Sequence, residues 1–140
     1  IEEISSDEEA LEIAADTWKR CSIQTHRLLS SSSTVYLHAL QPNQHLEGSK
    51  PLSDEEVERA IQHPAATRAA IQTGYPLLLK RQPSLEAAGI QFLDLSQLYH
   101  DEAGTMYSDP CCHLNEEGNQ RLTKAIALRL RELLEKARSM

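Results

Sequence analysis

Apolar residues recur every three and four positions from Asp7 to Leu29, at Leu11, Ala14, Ala15, Trp18, Cys21, Thr25, Leu28 and Leu29. That spacing predicts a helix with one buried face, on which Trp18 reads as a core anchor. Ser6 or Asp7 can cap it, with Glu9 three residues after Ser6, and Ser30 to Ser33 end it. Thr34 to Leu40 (TVYLHAL) is almost wholly apolar, as expected of a strand covered on both faces in a parallel sheet. His38 lies inside it and reads as a core histidine with its hydrogen bonds satisfied. The strand ends at Gln41-Pro42-Asn43, because Pro42 cannot donate to a ladder. Gln44 to Leu52 reads as a loop, and Ser53-Asp54-Glu55-Glu56 as a capping box that opens a helix. Pro64 breaks or restarts that helix. Ala65 to Arg81 is helix-prone, with a break expected near Tyr75, between Gly74 and Pro76, and another at Pro83. Ala87-Ala88-Gly89 reads as a helix end with a glycine cap. Ile90 to Leu95 (IQFLDL) is the second strand, Ser96 to His100 a turn or short helix, and Asp101 to Thr105 a surface loop. Asn115 can cap a last helix running from Glu116 to about Ala137. Its inward face is Leu122, Ala125, Ile126, Leu130, Leu133 and Leu134, with Arg121, Lys124, Arg129, Arg131 and Lys136 largely off it.

The order is helix, strand, helical crossover, strand, loop, helix. That is a βαβ arrangement in an α/β fold, and it predicts parallel strands covered by helices. Only two strands are evident, and an isolated strand pair is marginal. A strand as apolar as TVYLHAL calls for neighbours on both sides. The sequence therefore reads as the C-terminal part of a larger domain, whose sheet an upstream segment or another chain would complete.

A length of 140 residues suits one domain. With 40% hydrophobic and 4% aromatic residues, the core must rest on Leu, Ile, Val and Ala. The formal charge of −7 is concentrated in Glu2, Glu3, Asp7, Glu8, Glu9, Glu12 and Asp16, and the remainder of the chain is neutral. No basic face is left for nucleic acid. The acidic run reads as a solvated helix start, where acids favour the macrodipole. No stretch approaches the roughly 18 apolar residues of a membrane span, and no signal peptide pattern opens the chain. The chain starts without Met on an acidic segment, so residues are expected upstream and the compartment stays open. Cys21, Cys111 and Cys112 make an odd count without a spaced Cys/His metal pattern. Cys111, Cys112 and His113 are contiguous, and adjacent side chains diverge too far to chelate one ion easily. One of the vicinal pair is free to bond to a cysteine outside the chain. No metal or organic cofactor is implied.

The chemistry concentrates in Tyr107-Ser108-Asp109-Pro110-Cys111-Cys112-His113-Leu114-Asn115-Glu116-Glu117-Gly118-Asn119. Asp109 and His113 stand four residues apart on a Pro-containing loop directly before the last helix. An imidazole held by a carboxylate is a general base tuned to neutral pH. The carboxylate fixes the tautomer and stabilises the imidazolium as it forms. The pair is two-thirds of a nucleophilic triad. The plainer alternative has Asp109 capping a turn and His113 as a surface histidine. Ser30 to Ser33 lack the Gly-flanked elbow of a nucleophile.

These residues resemble the C-terminal half of SGNH hydrolases, the GDSL-type serine esterases. In that family a late loop carries Asp and His just before the last helix, often as Asp-x-x-His followed by a Gly-containing turn. The resemblance extends to Leu40-Gln41-Pro42-Asn43, to Lys50-Pro51-Leu52-Ser53 and to Phe92-Leu93-Asp94-Leu95-Ser96, and it covers roughly Trp18 to Leu134. It implies the C-terminal portion of a flavodoxin-like SGNH three-layer α/β/α sandwich with a parallel sheet. It also implies His113 as catalytic base, Asp109 as its partner, and a small-molecule ester as substrate, with a short acyl or acetyl group on a carbohydrate or lipid-like alcohol. The sequence departs from the family twice. Three residues separate Asp109 from His113 where two are usual, so the loop must bulge for the pair to meet. The Gly-Asp-Ser and Gly-x-Asn-Asp blocks, which supply the nucleophile and oxyanion hole, are not among these residues. A truncated or degenerate SGNH-like module that binds a ligand or completes an assembly is the alternative.

Overall fold

The computed structural model describes residues 4–32 and 34–139. Ser33, at the predicted helix stop, and Glu2 and Glu3 of the acidic run lie outside the described residues. The elements run α1 (Asp7–Ser30), β1 (Leu37–Leu40), α2 (Asp54–Arg59), α3 (Ala65–Lys80), α4 (Gln82–Ala87), β2 (Gln91–Asp94) and α5 (Glu116–Arg138). Helix accounts for 56% of the described residues and strand for 7%, the strands forming a small parallel pair compatible with an α/β fold. The chain divides into two compact units, Ile1–His38 with Ala69–Phe92, and Ala39–Arg68 with Leu93–Met140.

In the first unit, Ser6 caps α1 by accepting a hydrogen bond from the Glu9 amide. Asp7, Glu8 and Glu9 fill the first turn and are exposed, as the positive end of the helix favours. Ala15 and Ser22 are buried on the inward face. Trp18 is the expected anchor, its ring edge-on to His38 at 4.5 Å and to Phe92 at 6.1 Å between centroids. His38 is satisfied within this cluster. Its Nδ1 lies 2.6 Å from Ser22 Oγ and 3.1 Å from the Tyr36 hydroxyl, and burial pushes its pKa down, favouring the neutral ring. Arg81, also buried, pairs with Glu12 and Asp16 of α1. It separates α3 from α4, where the interruption attributed to Pro83 falls. Gly89 then adopts φ +85°, while the Gly89 amide reaches Glu86 O and the Ile90 amide reaches Leu85 O. This is a Schellman cap, and its left-handed position explains the glycine.

The break expected near Tyr75 does not occur, and α3 runs unbroken through Gly74 and Pro76. Pro76 removes one amide from the helix, but Pro76 and Gln72 are both exposed, so the carbonyl left without a partner faces water. Tyr75, beside it, is buried. The first strand is also shorter than TVYLHAL suggested. Only Leu37–Leu40 enters the ladder, because β2 offers only four residues to pair with. Leu37, His38 and Ala39 are half-buried rather than covered on both faces.

The second unit carries the C-terminal ends of both strands, and the Leu95 amide donates to Leu40 O at 2.9 Å. Its core gathers Ala60, Tyr99, Met106 and Tyr107, with Leu98, Cys112 and Leu114 packed against them. The Ser53 capping box is complete in both directions. Asn115 caps α5 through the Gly118 amide. A Cβ at Gly118 would stand 2.7 Å from the Met106 carbonyl, so only glycine lets α5 start this close to the segment leading into the loop. Leu122, Ala125, Ile126 and Leu130 are half-buried and Leu133 is buried, whereas Leu134 is exposed, one position off that stripe. Arg121 is not free in water, being half-covered and paired with Glu102 and Glu117. Lys124 and Arg131 are exposed as expected. Because Leu133 is the most covered leucine of this stripe, Leu133→Ala is expected to cost about 2–5 kcal/mol and Leu130→Ala less. Denaturant midpoints of the two variants, falling in the opposite order, would contradict that packing.

Candidate active site

The segment from Met106 to Asn115 folds back on itself. Tyr107 and Leu114 form an antiparallel bridge, the Ser108 amide donates to His113 O at 2.9 Å, and the Asn115 amide donates to Met106 O at 2.8 Å. These bonds close the base of a loop whose tip is Asp109-Pro110-Cys111-Cys112. Asp109 Oδ1 accepts from the Cys111 amide at 2.8 Å, which fixes the turn, and from the His113 amide at 3.4 Å. Its other oxygen, Oδ2, meets His113 Nδ1 at 2.6 Å. Asp109 and His113 thus come together as expected, and Asp109 also makes the turn of the plainer reading.

Cys112 resolves the unusual spacing. Its φ is +61°, the only positive value at a non-glycine position among the described residues. A left-handed residue with a Cβ costs about 1–2 kcal/mol. Here it absorbs the extra residue and turns His113 back toward Asp109. Burial, with Cys111 and Asp109 close by, pushes the Cys112 thiol up, so Cys112 stays protonated near neutrality and is a poor nucleophile despite preceding His113. Gln41, the first residue beyond β1, donates to Cys112 Sγ at 3.5 Å. The loop therefore lies beyond the C-terminal end of β1, the edge at which open α/β sheets carry their sites.

His113 remains 72% exposed at its side chain. Its Nδ1 faces the carboxylate, and Nε2 has no hydrogen bond among the described residues. The hydrogen bond from His113 holds Asp109 below the usual carboxylate range; burial opposes it, and the Cys111 and His113 amides add to the lowering. Asp109 is then ionised at neutral pH and favours the tautomer in which Nδ1 carries the proton and Nε2 can take one. Two open grooves run along the outer side of α5, one lined by Asn119, Thr123 and Ala127, the other by Leu130 and Leu134, and neither includes Asp109 or His113.

Three supports of the loop were not legible in the sequence. Gln44 and His45, in the segment read simply as a loop, are buried and donate to the Asp109 and Pro110 carbonyls. Glu56, read as a capping residue, is also fully buried against Lys50 at 2.7 Å and accepts from the Met106 and Tyr107 amides. No local pattern marks Gln44 or His45. For Glu56 the capping box gave the helix start but not the second role of the carboxylate. Among the described residues no group of three His, Cys, Asp or Glu side chains could hold a metal ion. Among the described residues no helix is long and apolar enough to cross a membrane. No family model, curated protein or solved structure matches the chain.

Proposed function

We propose that this chain is the Asp/His-bearing part of an SGNH-type serine esterase with a flavodoxin-like sandwich. The supporting observation is the contact of Asp109 Oδ2 with His113 Nδ1, with Nε2 left open beyond the end of β1. In this reading a serine of the Gly-Asp-Ser type, not among these 140 residues, attacks the ester carbonyl. His113 Nε2 takes the serine proton and later returns it to the leaving alcohol, while Asp109 holds the ring and stabilises the imidazolium. The substrate is a short acyl or acetyl ester of a carbohydrate or lipid-like alcohol. No metal or organic cofactor takes part. The rival reading, a non-catalytic binding or assembly module, draws on Nε2 having no hydroxyl partner among the described residues.

Asp109→Asn distinguishes the two. In a protein that includes the nucleophile segment, it is expected to lower kcat for ester hydrolysis by about 10³-fold, because the amide donates to Nδ1 and favours the wrong tautomer. A serine-directed fluorophosphonate is expected to label that longer protein and not these 140 residues. Unchanged kcat in Asp109→Asn, or stoichiometric labelling of the 140-residue chain, would remove the proposed mechanism.

A further inference from the structure

The two consecutive side chains that follow Asn43 reach two consecutive carbonyls of the catalytic loop. Gln44 Nε2 donates to Asp109 O at 2.9 Å and to Ala60 O at 3.0 Å. His45 Nε2 lies 3.0 Å from Pro110 O, and since a carbonyl can only accept, that nitrogen carries a proton. We propose that Gln44 and His45 are positioning residues for the Asp109–His113 pair, holding the Asp109 and Pro110 carbonyls so that the Asp109 carboxylate stays on His113 Nδ1. The catalytic consequence rests on the esterase reading, but the geometric claim does not.

The clamp is itself anchored. The His45 amide donates to Asn43 Oδ1 at 2.9 Å, and Ser49 Oγ donates to Asn43 O at 2.8 Å. The titratable group facing the His45 ring is His63, edge-on at 5.2 Å between centroids. Gln44 and His45 are each only 6% exposed, and Gln44 Oε1 is buried without a partner among the described residues. Two apolar side chains could fill this space and would spare the unpartnered Gln44 Oε1. What they could not do is donate to the two successive carbonyls that flank Pro110, those of Asp109 and of Pro110 itself. Fixing those carbonyls fixes the direction in which Asp109 projects from the backbone. A displacement of about 1 Å in a reacting constellation can cost roughly a hundredfold in rate.

The test is the tautomer of His113, read from its ring nitrogen resonances in the folded chain. The parent is expected to hold the proton on Nδ1. In His45→Phe and in Gln44→Leu the proton is expected to shift toward Nε2, the form a free imidazole favours in water. His45→Gln, which keeps a terminal N–H donor, is expected to restore the Nδ1–H form. In the hydrolytically competent protein the first two variants should lose about ten- to a hundredfold in kcat with KM unchanged. If His45→Phe does not fold, Gln44→Leu and the shorter His45→Asn carry the same reading. Folded variants in which His113 keeps its proton on Nδ1 would overturn the positioning role, whatever their activity. A longer protein that includes the nucleophile segment and holds the Nδ1–H form yet hydrolyses no ester would instead sink the esterase reading and leave the clamp standing.

Discussion

If the proposed esterase reading holds, His113→Ala is expected to remove about four orders of magnitude from kcat in a protein that includes the nucleophile segment, while leaving the fold intact. The size of the loss follows from the role. In that reading the imidazole takes the serine proton, and without it binding and oxyanion stabilisation supply what remains. The intact fold follows from the side chain's position, since it is 72% exposed and packs into no core. Its loss removes one hydrogen bond to Asp109, while the Tyr107–Leu114 bridge and the Ser108 and Asn115 amide bonds still close the loop. The circular dichroism melt of His113→Ala should therefore match that of the parent. Asp109 adds a constraint on the pH profile. Its carboxyl is held below the usual range, so it stays ionised through mild acid, and its protonation cannot cause an activity loss near pH 6. Residual hydrolysis within tenfold of the parent would leave the proposed mechanism without its base.

The helices were legible because their signals are local. Ser6, Ser53 and Asn115 each combine a capping side chain with a following apolar period, and all three start helices where the pattern put them. The break at Tyr75 was overestimated because a proline's cost depends on whether the carbonyl it abandons can reach water, which periodicity does not encode. The strands were legible in place but not in length, since a ladder needs a partner and the pairing range belongs to both strands. At the site, the Asp109–His113 pair could be named from spacing and residue type. That the extra residue would be absorbed by a left-handed Cys112 could not, because cysteine has no preference for that conformation. Gln44, His45, Lys50 and Glu56 were hidden for a common reason. A polar residue in a loop or in the first turn of a helix ordinarily faces water, and only long-range folding shows that these four are buried.

Of those four, Glu56 is expected to carry the largest stability effect, with Glu56→Ala lowering the unfolding free energy by about 3–5 kcal/mol. Its side chain and that of Lys50 are both 0% exposed and meet at 2.7 Å. Oε1 accepts from the Met106 and Tyr107 amides at 2.8 and 3.0 Å, and Oε2 from the Ser53 amide at 2.9 Å. Removing the carboxylate leaves the Lys50 ammonium buried without a counter-charge and orphans three amides, whereas Lys50→Met leaves those amides paired. Glu56→Ala should accordingly cost more than Lys50→Met. The pH dependence has a definite sign. Burial alone would raise the Glu56 pKa, but the Lys50 ammonium and the three amides outweigh it and hold the group below its ordinary 4.5. A depressed folded-state pKa contributes stability that is fully present above the unfolded value and lost as pH falls through the lower, folded one. The gap between parent and Glu56→Ala should thus be widest near neutrality and shrink below about pH 4.5. The same carboxylate holds the amides from which the Tyr107–Leu114 bridge begins, so Glu56→Ala should also loosen the contact of Asp109 with His113. Urea unfolding at neutral and acid pH measures the stability difference, and a neutral-pH loss under about 1 kcal/mol would mean that water, not this pair, satisfies the segment leading into the loop.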